Sequence, residues 1–197
     1  MKVIILCGGL GSRLAEETRS KPKPMVKIGT KPIIWHLIKY YQHFGFNDFI
    51  LATGYKSYVL KEFFNKYKIK SAKINLVYTG KDSLTGGRLL RLKKFIDDDN
   101  FHLTYGDGLS NVNLKKLVSF HKKSNSIATL TSVRPPVRFG EIKLSSTGKV
   151  KEFNEKPQAS SNWINGGFFV MNKKIFNYIK NDQTILERYT LEKLVQN

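Results

Sequence analysis

At 197 residues, the chain suits one domain, or one domain with a small appendage, and can bury a sizeable core. Its 34 Lys and Arg against 15 Asp and Glu give a formal net charge of +19, which favours anionic partners such as nucleotides, sugar phosphates, nucleic acid or acidic membrane, although lysines spread over polar faces also suit a plain compositional bias. The single cysteine, Cys7, excludes a disulfide framework or a cysteine metal centre within one chain; the run from Val3 to Leu6 is too short for a signal-peptide core and no stretch approaches the ~20 apolar residues of a membrane span, so the expectation is a soluble, cytoplasmic protein with no membrane partner.

The N-terminal apolar run breaks into Gly8, Gly9 and Gly11, which predicts a strand followed by a tight loop. Glycines there permit close backbone approach, so successive N–H groups can converge on phosphate oxygens, and Arg13 adds a planar cationic fork beside them. Lys21 precedes Pro22 and Lys23 stands between Pro22 and Pro24, prolines expected to hold the backbone extended and aim the ammonium groups. Together these features describe a triphosphate site. The spacing fits neither the dinucleotide fingerprint nor the Walker loop, and by itself a glycine turn after a strand is also an ordinary βα turn.

Met25 to Gly29 reads as a short extended piece, and Pro32 as the first-turn residue of a helix. That helix carries Ile34, Leu37, Ile38 and Tyr41 at helical spacing and stops at Gly45. His36 lies in it, where a lone histidine near an apolar face is more often packed or hydrogen-bonded than a metal ligand. Phe49 to Thr53 is the next strand, Val59 to Tyr67 an amphipathic helix and Ile74 to Tyr78 another strand, a doubly wound alternation. A polar, glycine-bearing loop over residues 79–88 then precedes a helix from Leu89 to Ile96. In open α/β sheets such loops line the ligand crevice, which makes Ser83, Thr85, Gly86 and Arg88 candidates for a nucleotide.

The acidic run of Asp97, Asp98 and Asp99 reads as a solvated turn. Phe101 to Tyr105 is a strand ending in Gly106-Asp107-Gly108; a carboxylate there can hold a divalent cation against phosphate, or be a turn aspartate. Asn113 caps a helix with Leu114, Leu117 and Val118 inward and Lys115, Lys116, Lys122 and Lys123 outward. After the strand Ile127 to Val133, residues 139–153 alternate as an antiparallel hairpin. Lys156 can pair with a phosphate, Asn165 can hydrogen-bond sugar hydroxyls, and Gly166-Gly167 leaves room for a ring. Lys173 to Lys180 and Ile185 to Val195 read as two helices. The fold expected is α/β: a Rossmann-like, doubly wound, mostly parallel sheet with helices on both faces and a small antiparallel β addition.

In order along the chain, GGLGSRL, KPKPMV, TGGR, TYGDG, RFG, EKP and WINGGFFV resemble the signature of the sugar-1-phosphate nucleotidyltransferases, and within them the cytidylyl branch that acts on glucose-1-phosphate. The resemblance implies one nucleotidyltransferase domain over 1–197, with a nucleotide-binding part (1–134) and a sugar-phosphate-binding part (135–197). It implies that Gly8, Gly9, Gly11, Ser12 and Arg13 hold the nucleotide with Lys23 on its phosphates, that Ser83 and Arg88 serve the base side, and that Gly106 contacts the nucleotide. Asp107 would bind Mg²⁺, and Arg13, Lys23 and Asp107 would carry the catalytic electrostatics. Gly140, Glu155, Lys156, Asn165 and Gly166 would face the sugar phosphate.

The implied reaction joins CTP and glucose-1-phosphate into CDP-glucose and pyrophosphate in a homo-oligomer, with no nucleic acid as partner, since the lysines are spread and no nucleic-acid motif is recognisable. Two departures from the family pattern bear on this: the segment between Tyr67 and Ile74 is short, and the chain ends at Asn197 before the family's second Mg²⁺ aspartate, so a C-terminal truncation is expected. A related transferase using dTTP or UTP, and a nucleotide-binding pseudoenzyme, stay open as alternatives.

Overall fold

The computed structural model describes residues 1–9, 18, 20–135, 140–155 and 163–196, and of Glu141 the backbone only. In chain order it holds β1 (Val3–Leu6), a ribbon of β2 (Lys27–Ile28) and β3 (Lys31–Pro32), α1 (Ile33–His43), β4 (Asp48–Thr53), α2 (Ser57–Lys66), β5 (Lys73–Tyr78), α3 (Thr85–Arg91), β6 (Asn100–Tyr105), α4 (Leu114–Ser124) and β7 (Ala128–Val133). There follow β8 (Glu141–Leu144), β9 (Val150–Asn154), β10 (Ile164–Asn172), a 3₁₀ segment (Lys173–Tyr178), a π turn (Leu186–Thr190) and α5 (Leu191–Val195). Two compact units result, Met1–Thr129 with Phe168–Asn197, and Leu130–Gly167.

The six-stranded sheet has the order β5-β4-β1-β6-β10-β7. β1 runs parallel to β4 and to β6, β5 runs parallel to β4, and β10 is antiparallel to β6. This is the mostly parallel, doubly wound sheet expected. Its physical basis is legible in β1, whose residues are all buried because both faces are covered. Val3, Ile5 and Cys7 pack with Leu37 and Tyr41 of α1, Leu60 of α2 and Leu114 of α4, whereas Ile4 and Leu6 face the other way, onto Leu89 of α3, Phe176 and Leu186. The second unit contains the antiparallel β8–β9 hairpin, paired from Glu141 with Asn154 to Leu144 with Val150.

Helix α1 buries the four residues that its periodicity marks, Asn113 caps α4 by accepting from the Lys116 amide at 3.0 Å, and His36 Nε2 bonds the Ile28 carbonyl at 3.0 Å. The acidic run is a set of ties: Asp97 pairs with Lys2 at 2.6 Å, Asp98 with the N-terminal ammonium at 3.5 Å and Asp99 with Lys173 at 2.6 Å.

Four local expectations are corrected. Lys23 opens a 3₁₀ turn, Lys23–Met25, instead of lying extended, because the Met25 amide bonds the Pro22 carbonyl at 2.8 Å. Pro32 is the extended N-cap of α1, not its first-turn residue. The Thr-Gly-Gly-Arg stretch is the first turn of α3 rather than a loop before it. The C-terminal stretches fold as 3₁₀ and π turns with one short α-helix.

His102 of β6 is 0% exposed, edge-on to the Tyr41 and Phe46 rings. Burial draws its pKa down to about 4, the Phe169 backbone partly opposing. The neutral ring is therefore favoured by folding. Above about pH 6.5 it is neutral in both states; as pH falls toward 4 the unfolded chain takes up the proton first, and stability drops by roughly 3 kcal/mol across that window. Urea unfolding at pH 7 and pH 5 is expected to show this slope, and His102→Leu to flatten it relative to wild type whatever its own stability; an unchanged slope in the variant assigns acid sensitivity elsewhere.

Candidate active site

The carboxyl ends of β1 and β6 lie side by side, Leu6 paired with Tyr105, and the residues following both strands open onto a cavity of about 750 Å³. Gly8 and Gly9 come from the β1 end, Asp107 from the β6 end, and Lys23 from the 3₁₀ turn. Lys23 Nζ and the Asp107 carboxylate meet at 2.5 Å, their side chains 28% and 30% exposed. The expected cation and the expected metal ligand thus face the same space and neutralise each other there. Ser83, Thr85 and Arg88 also line it. Gly11, Ser12, Arg13 and Lys156 lie outside the described residues.

Arg88 is 4% exposed and bonded to the loops around it. Nη2 donates to the carbonyls of Gly8 at 2.7 Å and Lys81 at 3.0 Å; Nη1 donates to the Gly80 carbonyl at 2.7 Å, Thr79 Oγ1 at 3.0 Å and the Thr53 carbonyl at 3.4 Å. One guanidinium therefore ties together the segments that leave β1, β4 and β5. Burial lowers its pKa, the Cys7 and Tyr78 side chains partly offsetting that. The same close approach accounts for Gly8, where a Cβ would stand 2.1 Å from Arg88 Nη1. Burial likewise pushes up the pKa of the Cys7 thiol beneath.

The amides at the start of α3 are taken up within the protein: Leu84 N–H bonds the Asp182 carbonyl at 2.9 Å, and Gly86 and Gly87 bond the Thr184 carbonyl at 2.9 and 3.3 Å. A Cβ on Gly86 would meet the Thr184 carbonyl at 2.8 Å and one on Gly87 the Asp182 carbonyl at 2.1 Å. The glycine pair thus seats the 182–184 segment. Gly106 packs under Pro24 and gives its amide to the Leu6 carbonyl at 3.0 Å.

Sequence reasoning missed Tyr105 and Glu187, both of which line the cavity. Tyr105 Oη donates to one Glu187 carboxylate oxygen at 2.5 Å and Thr85 Oγ1 to the other at 2.7 Å, while the Leu186 amide donates to Thr85 Oγ1 at 2.9 Å. About a hundred residues separate Glu187 from Thr85, so no local pattern signals the pairing.

In the second unit Gly140 and Glu155 come together, a Cβ on Gly140 falling 3.2 Å from Glu155 Oε2. Asn165 Oδ1 accepts from the Gly167 amide at 2.8 Å, and Gly166 fits against Thr131 Oγ1, 2.9 Å from where its Cβ would be. Among the described residues no three His, Cys, Asp or Glu side chains stand close enough to hold a metal, and no helix is long and apolar enough to cross a membrane.

The Nucleotidyl transferase family model matches residues 2–195. The chain is 44% identical to "Glucose-1-phosphate cytidylyltransferase" of Salmonella typhi, covering all of this chain and 84% of that protein. It is 41% identical to "Probable glucose-1-phosphate cytidylyltransferase" of Bacillus subtilis, covering all of this chain and 85% of that protein. Among solved structures, HddC from Yersinia pseudotuberculosis complexed with GMP-PN superposes with a TM-score of 0.77 at 27% identity, over 98% of this chain and 85% of the other. On sequence and fold alike, the chain belongs to the nucleotidyl transferase family.

Proposed function

We propose that this chain joins CTP and glucose-1-phosphate to give CDP-glucose and pyrophosphate. The observation that carries the reading is likeness along the entire chain to proteins named glucose-1-phosphate cytidylyltransferase, at 44% identity. A cavity at the carboxyl ends of β1 and β6, furnished with Gly9, Lys23 and Asp107, supports it.

The chemistry asked of the protein is modest. The sugar phosphate is already an anion at neutral pH, so its oxygen attacks the α-phosphorus without a general base and pyrophosphate leaves on the opposite side. The barrier to lower is that of bringing two polyanions together in line, which calls for positioning and charge neutralisation. Lys23 faces the phosphates from the 3₁₀ turn, the amides around Gly8, Gly9 and Gly11 cradle them, and Ser12 and Arg13 add donors. Gly140, Glu155, Lys156, Asn165 and Gly166 are assigned to the sugar phosphate.

Asp107 suits Mg²⁺: it is a hard oxygen donor in the cavity, and that ion commonly binds through one or two carboxylates while phosphates and water complete its shell. Bound by Asp107 and phosphate oxygens, Mg²⁺ would neutralise charge on the triphosphate. The assignment to a homo-oligomer in a reducing cytoplasm rests on the family resemblance and the lone Cys7 thiol.

A pyrophosphate-release screen with glucose-1-phosphate over CTP, UTP, dTTP, ATP and GTP is expected to favour CTP. Clear preference for dTTP or UTP overturns the base assignment, and release with none of the five overturns the transferase reading.

A further inference from the structure

We propose that Glu187 selects the base, its carboxylate accepting a hydrogen bond from the exocyclic amino group of cytosine; this rests on the CTP reading above. The argument starts from placement. Lys23 leads into Met25, which packs on one face of the sheet, whereas Glu187 follows Leu186, which packs on the opposite face. Both side chains line one cavity across the carboxyl ends of β1 and β6. A carboxylate is repelled by a triphosphate, so a nucleotide that lays its phosphates toward Lys23 and Gly9 turns its neutral nucleoside toward Glu187.

The hydrogen-bond polarity at that end is set by the protein. An ionised carboxylate only accepts, and Tyr105 Oη and Thr85 Oγ1 both direct their protons onto it, at 2.5 and 2.7 Å. Those two bonds also fix the orientation of the carboxylate. Arg88, the donor expected from the sequence to serve the base, has both Nη atoms engaged with protein oxygens. This end of the cavity therefore offers Glu187 as an acceptor, and a cytosine edge presents a matching N–H₂ donor where uracil and thymine present an oxygen. The carboxylate attracts the first and repels the second, so discrimination contains a repulsive element as well as an attractive one. A carboxylate reading ribose hydroxyls instead gives no such choice, since CTP and UTP share them.

The test is calorimetric binding of CTP, UTP and dCTP with Mg²⁺, without sugar phosphate, to wild type and Glu187→Gln, with thermal unfolding of each followed in parallel. Wild type is expected to prefer CTP over UTP, and the variant to lower that ratio about tenfold or more, by losing CTP affinity and gaining UTP affinity. Should Glu187→Gln not fold, Glu187→Asp, which withdraws the carboxylate by one methylene, reads the same ratio. Equal loss for CTP and UTP makes Glu187 a structural tie only and overturns the proposal, and so does collapse of the CTP–dCTP difference at a constant CTP–UTP ratio, which assigns Glu187 to the ribose. Wild type lacking CTP preference overturns the base assignment along with this inference; CTP preference that persists in the variant overturns this inference alone.

Discussion

Lys23→Ala is expected to lower kcat/KM for CTP by about 10- to 150-fold, the loss of one charge-assisted contact of about 1.5–3 kcal/mol, while leaving the fold intact. The fold survives because the Lys23–Asp107 pair is partly exposed, 28% and 30%, and such pairs contribute only about 0–1 kcal/mol to stability. The functional effect is larger because of where the pair stands. With the ammonium gone, the Asp107 carboxylate faces incoming phosphates uncompensated, so repulsion is added to the lost attraction. The two effects separate in a double-mutant cycle. In nucleotide binding without divalent cation, Asp107→Asn is expected to tighten binding, by releasing Lys23 to the phosphates, and Lys23→Ala/Asp107→Asn to bind better than Lys23→Ala alone. With Mg²⁺ present the sign for Asp107→Asn reverses, because the cation loses its carboxylate. Unchanged CTP kinetics in Lys23→Ala defeats the assignment of that residue, and strictly additive single effects defeat the exchange of partners.

That Lys23 and Asp107 line one cavity was legible from the sequence because each is placed by its immediate neighbours. Asp107 follows an apolar strand after one glycine, where the rule for strand ends applies, and Lys23 stands between Pro22 and Pro24, although the 3₁₀ turn it opens was not expected. The doubly wound sheet was legible for a related reason: β1 is apolar at every position, and α1 buries Ile34, Leu37, Ile38 and Tyr41 at helical spacing. What local pattern does not carry is long-range return of the chain. The Thr-Gly-Gly-Arg stretch looks like a ligand loop until residues 182–187 come back across it, taking the Gly86 and Gly87 amides on the Thr184 carbonyl and filling the space above both glycines. Glu187 enters the cavity by the same return, from a segment that reads only as a helix. The π turn at Leu186–Thr190 is equally invisible to a 3.6-residue period.

Arg88→Met is expected to destabilise the protein by about 3–5 kcal/mol, although the replacement keeps an unbranched apolar stem. The guanidinium satisfies oxygens of Gly8, Thr53, Thr79, Gly80 and Lys81. The Thr53 carbonyl keeps the Thr79 amide at 2.9 Å and the Thr79 hydroxyl at 2.8 Å, so the loss falls on Thr79 Oγ1 and the Gly8, Gly80 and Lys81 carbonyls, where each hydrogen bond from a charged donor contributes about 1.5–3 kcal/mol. Partial relaxation and entry of water keep the total below the sum. Lysine is a poor substitute, since a single ammonium cannot span carbonyls that a planar fork reaches on two sides, so Arg88→Lys is expected to recover less than half of the loss. Function follows stability here: the loops after β1 and β5 lose their common tie, and the KM for CTP rises through disorder of Gly8 and Lys81. Urea unfolding read beside nucleotide kinetics separates this from direct contact with the base. An Arg88→Met variant as stable as wild type but with a raised KM makes Arg88 a nucleotide ligand first, while one unchanged in both measurements removes Arg88 from the site altogether.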